Sequence, residues 1–273
     1  MPELPEIETI KATMQFLVAD RITQFSVLNQ NLRWTVPIRK LNQHICGANI
    51  DRVWRRSKYL IWDMDSGYSL FIHLGMSGRL GRFRPDYPLE AHSHVVFHLE
   101  SGWQIRYRDP RRFGFLDVAY TQNLEQHPRF NKLGVEPLSV DFSPHFLKST
   151  AQRSRRSIKT LIMDSNIVVG IGNIYANEAL FRAKVRPERA SNRLTDSEIT
   201  EIVSAIKDIL GEAIQRGGTT LRDYRNAQGE PGFFQQDLAV YAKSGVPCKI
   251  CKQAIKQIRL SGRSTFYCET CQL

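Results

Sequence analysis

The sequence lacks the features of a membrane-spanning protein and those of a disulfide-stabilised secreted protein. No run among its 273 residues approaches the roughly 18 consecutive apolar residues that a membrane helix needs. The first residues, MPELPEIE, are acidic, whereas a signal peptide begins with a basic segment followed by an apolar one. Only five cysteines are present and four of them follow residue 247, which excludes a disulfide framework. We therefore expect a cytoplasmic protein without a membrane partner.

What the sequence does have is an excess of positive charge. Its 38 Lys and Arg residues outnumber 27 Asp and Glu residues, which gives a formal net charge of +11 and a pI of about 9.6. The apolar share of 42% and the charged share of 24% are ordinary for a folded protein, so a disordered or collagen-like chain is excluded. In a cytoplasmic protein this excess is consistent with a polyanionic partner, because neutralising phosphates releases counterions. Charge alone does not separate nucleic-acid binding from a merely basic surface.

The four C-terminal cysteines have the spacing of a tetrahedral zinc site. Two Cys-x2-Cys pairs flank a segment that predicts two short strands joined by a turn at Ser261-Gly262. A pair of redox motifs is the alternative, but a module this small has no core of its own and needs metal to fold. We therefore predict a zinc ribbon with one structural Zn²⁺. Its ligands are Cys248, Cys251, Cys268 and Cys271.

The rest of the chain divides into a strand-rich part and a helical part, which predicts an α+β protein. Apolar residues at three- and four-residue spacing predict a helix over residues 5–18. Short β-branched and aromatic segments follow and predict an antiparallel sandwich or barrel. The expected organisation is an antiparallel sheet domain, a sandwich or a barrel, at 1–120, a linker at 121–145, a helical domain at 146–234 with a Gly-rich loop from 216 to 234, and the zinc ribbon at 235–273.

The N-terminal residues contain a candidate nucleophile. Initiator Met is generally removed before Pro, which would leave Pro2 with a secondary amine. An α-amino group has a pKa of about 7.7–8.0, so part of it is an unprotonated nucleophile at neutral pH. Glu3 and Glu6 lie close by in sequence, where a carboxylate can relay protons. The alternative interpretation of the same residues is a solvated terminus and a helix cap.

Three shorter motifs place cations and apolar side chains in turns. Lys58 precedes an apolar strand and is either a phosphate contact or a surface charge. Met76 lies in the Gly-flanked turn HLGMSG and is either a core side chain or an exposed wedge, and the glycines favour an exposed turn. Arg111 and Phe113 lie in DPRRFG, and an apolar side chain paired with Arg is typical of wedges that enter a duplex. His92 lies among other histidines and is interpreted as a phosphate contact or a sheet residue rather than a metal ligand.

The helical part carries much of the positive charge around a glycine turn. Between residues 147 and 186 eight Lys and Arg residues, Arg155 among them, outnumber two acidic residues. Gly170-Ile-Gly172 separates two helical patterns, and Asn173 is predicted to cap the second helix. Such a turn presents N–H groups to a phosphate, and the charge favours a nucleic-acid clamp. The third glycine and preceding strand of a dinucleotide fingerprint are lacking, so no nucleotide cofactor is expected. Arg263 follows the turn of the ribbon, where it would project into a groove.

In this order, the motifs resemble those of the formamidopyrimidine-DNA glycosylase family, bacterial repair enzymes that remove oxidised purines. The resemblance runs over nearly the whole chain and is carried by PELPEIE, RRSKYL, HLGMSG, DPRRFG, VVGIGNIYANEALF, GGTTLRDY and GRSTFYC. It implies a β-sandwich domain, a helix-two-turn-helix domain and a zinc finger. It also implies a monomer that binds damaged double-stranded DNA, excises 8-oxoguanine and formamidopyrimidines, and cuts the strand by β,δ-elimination.

The resemblance assigns roles to single residues. Pro2 is the implied Schiff-base nucleophile and Glu3 the implied general acid/base. Lys58 and Arg263 are implied to contact the phosphates that leave or flank the lesion. The implied DNA contacts are His92, Arg111, Arg155 and Asn173, and the side chains implied to fill the gap left by the flipped base are Met76, Arg111 and Phe113.

Three positions depart from the family pattern. Arg222 replaces a Lys in the loop that covers the base, Asn177 replaces a Ser, and residues 91–94 lack the Lys and Asp of Lys-His-Asp-His. These departures affect lesion recognition and not the nucleophile. Two alternatives remain, an endonuclease VIII-type glycosylase for oxidised pyrimidines and a non-enzymatic zinc-ribbon DNA-binding protein. Leu4 argues against the first, since that group typically has Gly there.

Overall fold

A computed structural model describes residues 2–219 and 234–273, which divide by contact into two units. The first unit comprises the described residues up to Asn131 together with 216–219, and the second comprises 132–215 and 234–273. The boundary falls inside the predicted linker, whose first residues form a short 3-10 helix, Thr121–Gln126, against the N-terminal sheet. Most of the Gly-rich loop predicted at 216–234, including Arg222, lies outside the described residues, as does Met1.

The described part of the first unit is a sandwich of two four-stranded antiparallel sheets, which confirms the predicted sandwich. The sheet orders are β1-β6-β7-β5 and β2-β3-β4-β8. Inward-facing apolar residues of both sheets form the core, where the rings of Trp62 and Phe97 meet edge to face at 5.5 Å. The strands are β1 Ile22–Val27, β2 Ile50–Arg56, β3 Tyr59–Met64, β4 Tyr68–His73, β5 Arg79–Phe83, β6 Ser93–Leu99, β7 Gln104–Arg108 and β8 Phe115–Tyr120.

Two connections cross from one sheet to the other at the same edge of the sandwich. Residues 74–78 join β4 to β5, and residues 109–114 join β7 to β8. Because β4 pairs with β8 and β5 pairs with β7, the two connections start and finish side by side, with His73 opposite Phe115. We call these two segments the crossover loops. The topology alone therefore brings together the two sequence motifs HLGMSG and DPRRFG.

Two helices flank the sandwich. Helix α1, Leu4–Thr13, has Pro5 in its first turn and packs its apolar face on β2 and β3. The predicted helix over 5–18 is thus shorter as an α-helix, and a 3-10 turn at Gln15–Leu17 continues it. Helix α2, Ile38–His44, packs on β8. None of the helices in the described residues is long and apolar enough to cross a membrane.

The second unit is helical and ends in a two-stranded ribbon. Serine side chains cap two of its helices, since Ser143 accepts from the Phe146 N–H and Ser157 from the Thr160 N–H. The ribbon strands pair antiparallel across Ser261-Gly262, both with positive φ, which confirms the predicted hairpin. The elements are α3 Pro144–Gln152, α4 Ile158–Ile162, α5 Asn173–Arg182, α6 Asp196–Gln215, β9 Lys256–Leu260 and β10 Arg263–Tyr267.

Candidate active site and nucleic-acid contacts

The N-terminal residues are buried and held by the first turn of α1. Pro2, Glu3 and Glu6 are all buried, and Glu3 and Glu6 are each only 2% exposed. The Glu3 N–H donates to Glu6 Oε2 at 2.7 Å, which is half of a capping box. Glu6 Oε1 accepts from the Thr219 N–H at 2.8 Å. Glu6 therefore holds the Glu3 backbone with one oxygen and the Thr219 backbone with the other.

Lys58 lies at the tip of the hairpin between β2 and β3. The two-residue loop Ser57-Lys58 places Ser57 at a φ of +56° and leaves Lys58 half-buried. Arg55 donates from Nη1 to the Ser57 carbonyl at 3.0 Å and from Nε to Glu8 on α1 at 2.7 Å. Burial opposes ionisation of Glu8, but the hydrogen bonds from Arg55 and Lys11 lower the pKa of its carboxyl. This Glu8–Arg55 contact ties the hairpin of Lys58 to the helix that follows Pro2.

His73 was not singled out in the sequence, yet it lies in the electropositive neighbourhood of Lys58. Its Nδ1 accepts from the Gly75 N–H at 3.1 Å, so a neutral ring carries its proton on Nε2. Burial lowers the pKa of His73 to about 4, and the charges of Lys58, Arg33 and Arg129 act in the same direction. The ring is therefore neutral at physiological pH. The feature of the sequence that could have indicated His73 is its position at the end of a predicted strand, directly before a glycine-containing turn.

The crossover loops present three of the predicted contact side chains at the surface. Met76 is 41% exposed and Phe113 is 43% exposed, so both are surface side chains rather than core residues. The Arg111 guanidinium lies over the Phe113 ring at 4.8 Å from its centroid. His92 is exposed with a φ of +68°. The structure thus brings Met76, Arg111 and Phe113 together on the paired loops.

In the second unit, Arg263 begins β10, and the next residues are held by helices. Asn173 Nδ2 donates to the Ser264 carbonyl at 2.9 Å. Asn173 is therefore not the N-cap that its position after two glycines predicted, since Gly172 occupies that place and the amide reaches the ribbon instead. Asn177 Oδ1 accepts from the Phe266 N–H at 2.8 Å. These contacts fix the strand that carries Arg263.

Several cations between residues 147 and 186 make contacts inside the second unit, and Lys159 is too deeply buried to belong to the predicted nucleic-acid clamp. Lys159 is buried and donates to the Ser264 carbonyl and to Thr265 Oγ1. The ion pairs are Lys148–Asp196, Arg156–Asp164 and Arg182–Glu212. Arg155 remains exposed beside Arg189 and Arg193, which line a surface cavity of about 630 Å³ with it.

Helix α5 also holds the segment that leads into the ribbon. Glu178 is 5% exposed, and its carboxylate accepts three backbone N–H groups, those of Ala239, Val240 and Tyr241, at 2.7–2.9 Å. Hydrogen bonds to a buried carboxylate are charge-assisted and strong. One helix therefore anchors the ribbon at its entry through Glu178 and at its second strand through Asn177.

The four C-terminal cysteines form one metal site. Their sulfur atoms all lie within 4.8 Å of one another, with Cys251 to Cys268 at 3.3 Å and Cys248 to Cys271 at 3.9 Å. A tetrahedral zinc site with Zn–S bonds of about 2.3 Å places its sulfurs about 3.8 Å apart. The donor set and its size therefore fit one structural Zn²⁺. No other group of three or more His, Cys, Asp or Glu residues in the described part of the chain is arranged to hold a metal.

Comparisons with known proteins agree with this geometry over the whole chain. The sequence models of the formamidopyrimidine-DNA glycosylase N-terminal domain, of its H2TH domain and of the zinc finger found in FPG and IleRS match residues 1–116, 133–225 and 245–273. The formamidopyrimidine-DNA glycosylase of Thioalkalivibrio sulfidiphilus is 45% identical over the full length of both chains. That of Legionella pneumophila is 45% identical over 100% of this chain and 98% of its own. The chain belongs to the formamidopyrimidine-DNA glycosylase family.

Solved structures of a formamidopyrimidine-DNA glycosylase share the fold. The wild-type Lactococcus lactis enzyme with DNA containing N7-benzyl-Fapy-dG is 32% identical, with a TM-score of 0.92 and 99% coverage of each chain. The same enzyme with abasic-site DNA gives the same identity, TM-score and coverage. Membership of the formamidopyrimidine-DNA glycosylase family confirms the predicted fold class and makes the chain a DNA glycosylase of base excision repair with an FPG-type zinc finger.

Proposed function

We propose that the chain excises 8-oxoguanine and formamidopyrimidines from double-stranded DNA through a Schiff base on Pro2 and then cuts the strand by β,δ-elimination. The observation that carries the proposal is the placement of Pro2 directly before Glu3 and Glu6 in a buried turn. The Glu6 carboxylate accepts two backbone N–H groups, and Glu3 is the carboxylate residue directly next to Pro2 in the chain, so Glu3 is the proposed group for proton transfer. Such fixed geometry favours one nucleophile and one acid/base over a solvated terminus.

The proposed reaction begins when the Pro2 nitrogen bonds to C1′ of the extruded nucleotide. The bond between C1′ and the base breaks, the base takes up a proton as it leaves, and opening of the sugar gives an iminium between Pro2 and C1′. The iminium acidifies the C2′ proton, and its removal expels the 3′ phosphate. A second elimination expels the 5′ phosphate. Glu3 is the proposed group that moves protons at the sugar.

Cations and apolar side chains have separate proposed roles. Lys58, in the neighbourhood of Arg33 and Arg129, contacts a phosphate next to the lesion, and Arg263 contacts another. His92, Arg155 and Asn173 are proposed backbone contacts. Met76, Arg111 and Phe113 fill the gap that the flipped base leaves, since a stacked Arg–Phe pair beside an exposed Met resembles a duplex wedge. We also propose that the protein is a monomer and that it is located with the DNA in the cytoplasm.

Borohydride trapping tests the proposal. Reduction of the iminium should join the protein covalently to a duplex that contains 8-oxoguanine, and Pro2→Gly should weaken the trapping severely. Pro5→Gly, which alters the same helix start without touching the amine, is the matched control and should still trap. The intact mass of the purified chain must show loss of Met1, because a retained Met1 would hold the amine in a peptide bond. Absence of an adduct with any damaged base would overturn the proposal.

A panel of duplexes, each with one lesion opposite each base, tests the substrate class. Faster single-turnover excision of 8-oxoguanine and formamidopyrimidines than of oxidised pyrimidines is the expected result. The reverse preference would support an endonuclease VIII-type enzyme. Binding that survives Pro2→Gly without any strand cleavage in the unmodified protein would support a DNA-binding protein without enzymatic activity. Sedimentation of the protein with and without DNA tests the monomeric state.

A further inference from the structure

The crossover loops are packed backbone against backbone. A Cβ atom added to Gly75, whose φ is +62°, would lie 2.4 Å from the Gly114 nitrogen and from the Phe113 carbonyl carbon. A Cβ atom added to Gly114 would lie 2.0 Å from the Tyr107 hydroxyl oxygen. Both glycines therefore permit an approach that no side chain would allow. The two loops form one body rather than two independent turns.

A single buried carboxylate joins the two loops chemically. Asp109 has no solvent exposure, and its Oδ1 accepts from Ser77 Oγ at 2.5 Å and from the Arg111 N–H at 3.3 Å. Its Oδ2 accepts from the Gly114 N–H at 2.8 Å and from the Tyr107 hydroxyl at 3.2 Å. Three of these four donors thus belong to the wedge segments, since Ser77 follows Met76, Gly114 follows Phe113, and the third is Arg111 itself.

The backbone of Asp109 reaches a third segment. Its N–H donates to the His92 carbonyl at 3.1 Å, and its carbonyl accepts from His94 Nε2 at 2.8 Å. Asp109 is therefore hydrogen-bonded to every described segment of the first unit that carries a proposed wedge side chain, and to His92 as well. A carboxylate without water is costly unless its oxygens keep such donors, so the arrangement holds all three segments in one geometry.

We propose that Asp109 is the positioning residue that holds Met76, Arg111 and Phe113 as one wedge before DNA arrives. The inference rests on the proposed function, since it takes these three side chains to enter the gap in the duplex. Unstacking a base step costs a few kcal/mol, and a flexible loop would change its own conformation instead of separating the bases. A wedge ordered in the free protein loses no further conformational freedom on binding.

This role separates two activities of the same enzyme. Excision of a base from a duplex requires the wedge, because the partner strand and the neighbouring stack must be kept apart. Elimination at a preformed abasic site in single-stranded DNA does not require it, because nothing has to be extruded. A loosened wedge should therefore slow the first reaction and spare the second, whereas general damage to the fold should slow both.

Two variants test this separation. Ser77→Ala removes the hydrogen bond to Asp109 and the one that Ser77 Oγ accepts from the Arg111 N–H at 3.2 Å, and Asp109→Asn presents an amide group to donors that need an acceptor. Each should slow single-turnover excision of 8-oxoguanine from a duplex about tenfold or more, and leave cleavage of a single-stranded abasic site within about twofold of the wild-type rate. The fluorescence of 2-aminopurine placed opposite the lesion should increase less when either variant binds than when the wild type binds.

Ser69→Ala is the matched control. It removes another buried Ser–Asp hydrogen bond of the same unit, from Ser69 Oγ to Asp63 Oδ1 at 2.6 Å, away from the crossover loops, and should leave the ratio of the two rates unchanged. If Asp109→Asn does not fold, Ser77→Ala decides. A Ser77→Ala protein with an unchanged ratio, or one in which both rates fall together, would overturn the positioning role. A wild-type protein that forms no borohydride adduct would overturn the proposed function itself, and this inference with it.

Discussion

The crossover loops and the zinc ribbon each hold proposed DNA contacts, but by different means. The loops stand on the sandwich core and are joined by one buried carboxylate, Asp109. The ribbon buries only a few side chains, and four cysteines and side chains of α4 and α5 hold it. Where the core is large, a desolvated carboxylate can shape loops. Where the core is small, metal and a neighbouring helix replace it.

The first prediction exploits this difference with zinc removal, which should have the largest effect. Chelation, or Cys268→Ser, should unfold the ribbon, since structural zinc contributes about 10–16 kcal/mol in isolated fingers, and specific DNA binding should be lost. All four Trp residues precede residue 104 in the first unit, so their emission should not change. Cys46→Ser is the control and should bind DNA normally. Specific binding by metal-free protein would contradict the comparison.

The second prediction concerns the anchor at the entry of the ribbon. Glu178→Ala leaves three backbone N–H groups, one of them fully buried, without their carboxylate and should destabilise the second unit by about 3–5 kcal/mol. Zinc affinity, measured by competition with a chelator, should fall with it. Glu212→Ala removes an exposed ion pair with Arg182 and should cost at most about 1 kcal/mol. Equal effects of the two variants would refute the anchoring role.

The third prediction is that the stability of the first unit falls at acid pH because of His73. Burial lowers its folded pKa to about 4 from 6.5, and the nearby charges of Lys58, Arg33 and Arg129 oppose protonation, while Asp109 favours it. The unfolded state therefore binds a proton between these values that the folded state does not. Stability that is complete above pH 6.5 should be lost as the pH falls to about 4, by about 3 kcal/mol in all.

Urea unfolding followed by Trp emission at several pH values measures this loss. His73→Asn keeps an acceptor for the Gly75 N–H and does not titrate, so its stability should fall less between pH 6.5 and 4 than that of the wild type. Parallel pH profiles for the two proteins would show that His73 does not carry the sensitivity.

The fourth and smallest effect is expected at Asn177. Asn177→Ser introduces the residue of the family pattern, whose side chain is too short to reach the Phe266 N–H, and should destabilise the ribbon by about 1–3 kcal/mol. The share of δ-elimination product should fall as Arg263 loses its support. Asn166→Ser, at an exposed site of the same unit, should change neither quantity. An unaltered product ratio in Asn177→Ser would exclude this route to Arg263.

Local patterns in the sequence predicted those features whose causes are local. The ribbon turn at Ser261-Gly262 and the sandwich strands follow from turn chemistry and short β-branched runs. The cysteine spacing predicted the metal site for the same reason. Exposure of Met76 followed from its flanking glycines.

The residues that local patterns missed have distant partners. Lys159 was counted as a surface cation, but it lies buried against Thr265, more than a hundred residues away. Asn173 was predicted to cap its own helix, but its amide reaches Ser264. Asp109 was interpreted only as part of a turn, although it bonds Ser77 across the sandwich edge. Contacts of this kind depend on the tertiary fold, and the periodicity of the sequence does not predict them.

The paired glycines of the crossover loops have a consequence for divergence within the family. Gly75 and Gly114 must both stay small, because a side chain at Gly75 would clash with the backbone of the other loop and one at Gly114 with the Tyr107 hydroxyl and the His73 carbonyl. The side chains of Met76 and Phe113 are constrained far less by folding, since both are exposed. The backbone packing of the two loops is therefore fixed, whereas the exposed side chains at Met76 and Phe113 can be exchanged. If Met76 and Phe113 enter the duplex as proposed, substitutions there can change the inserted side chains without disturbing the contact between the glycines.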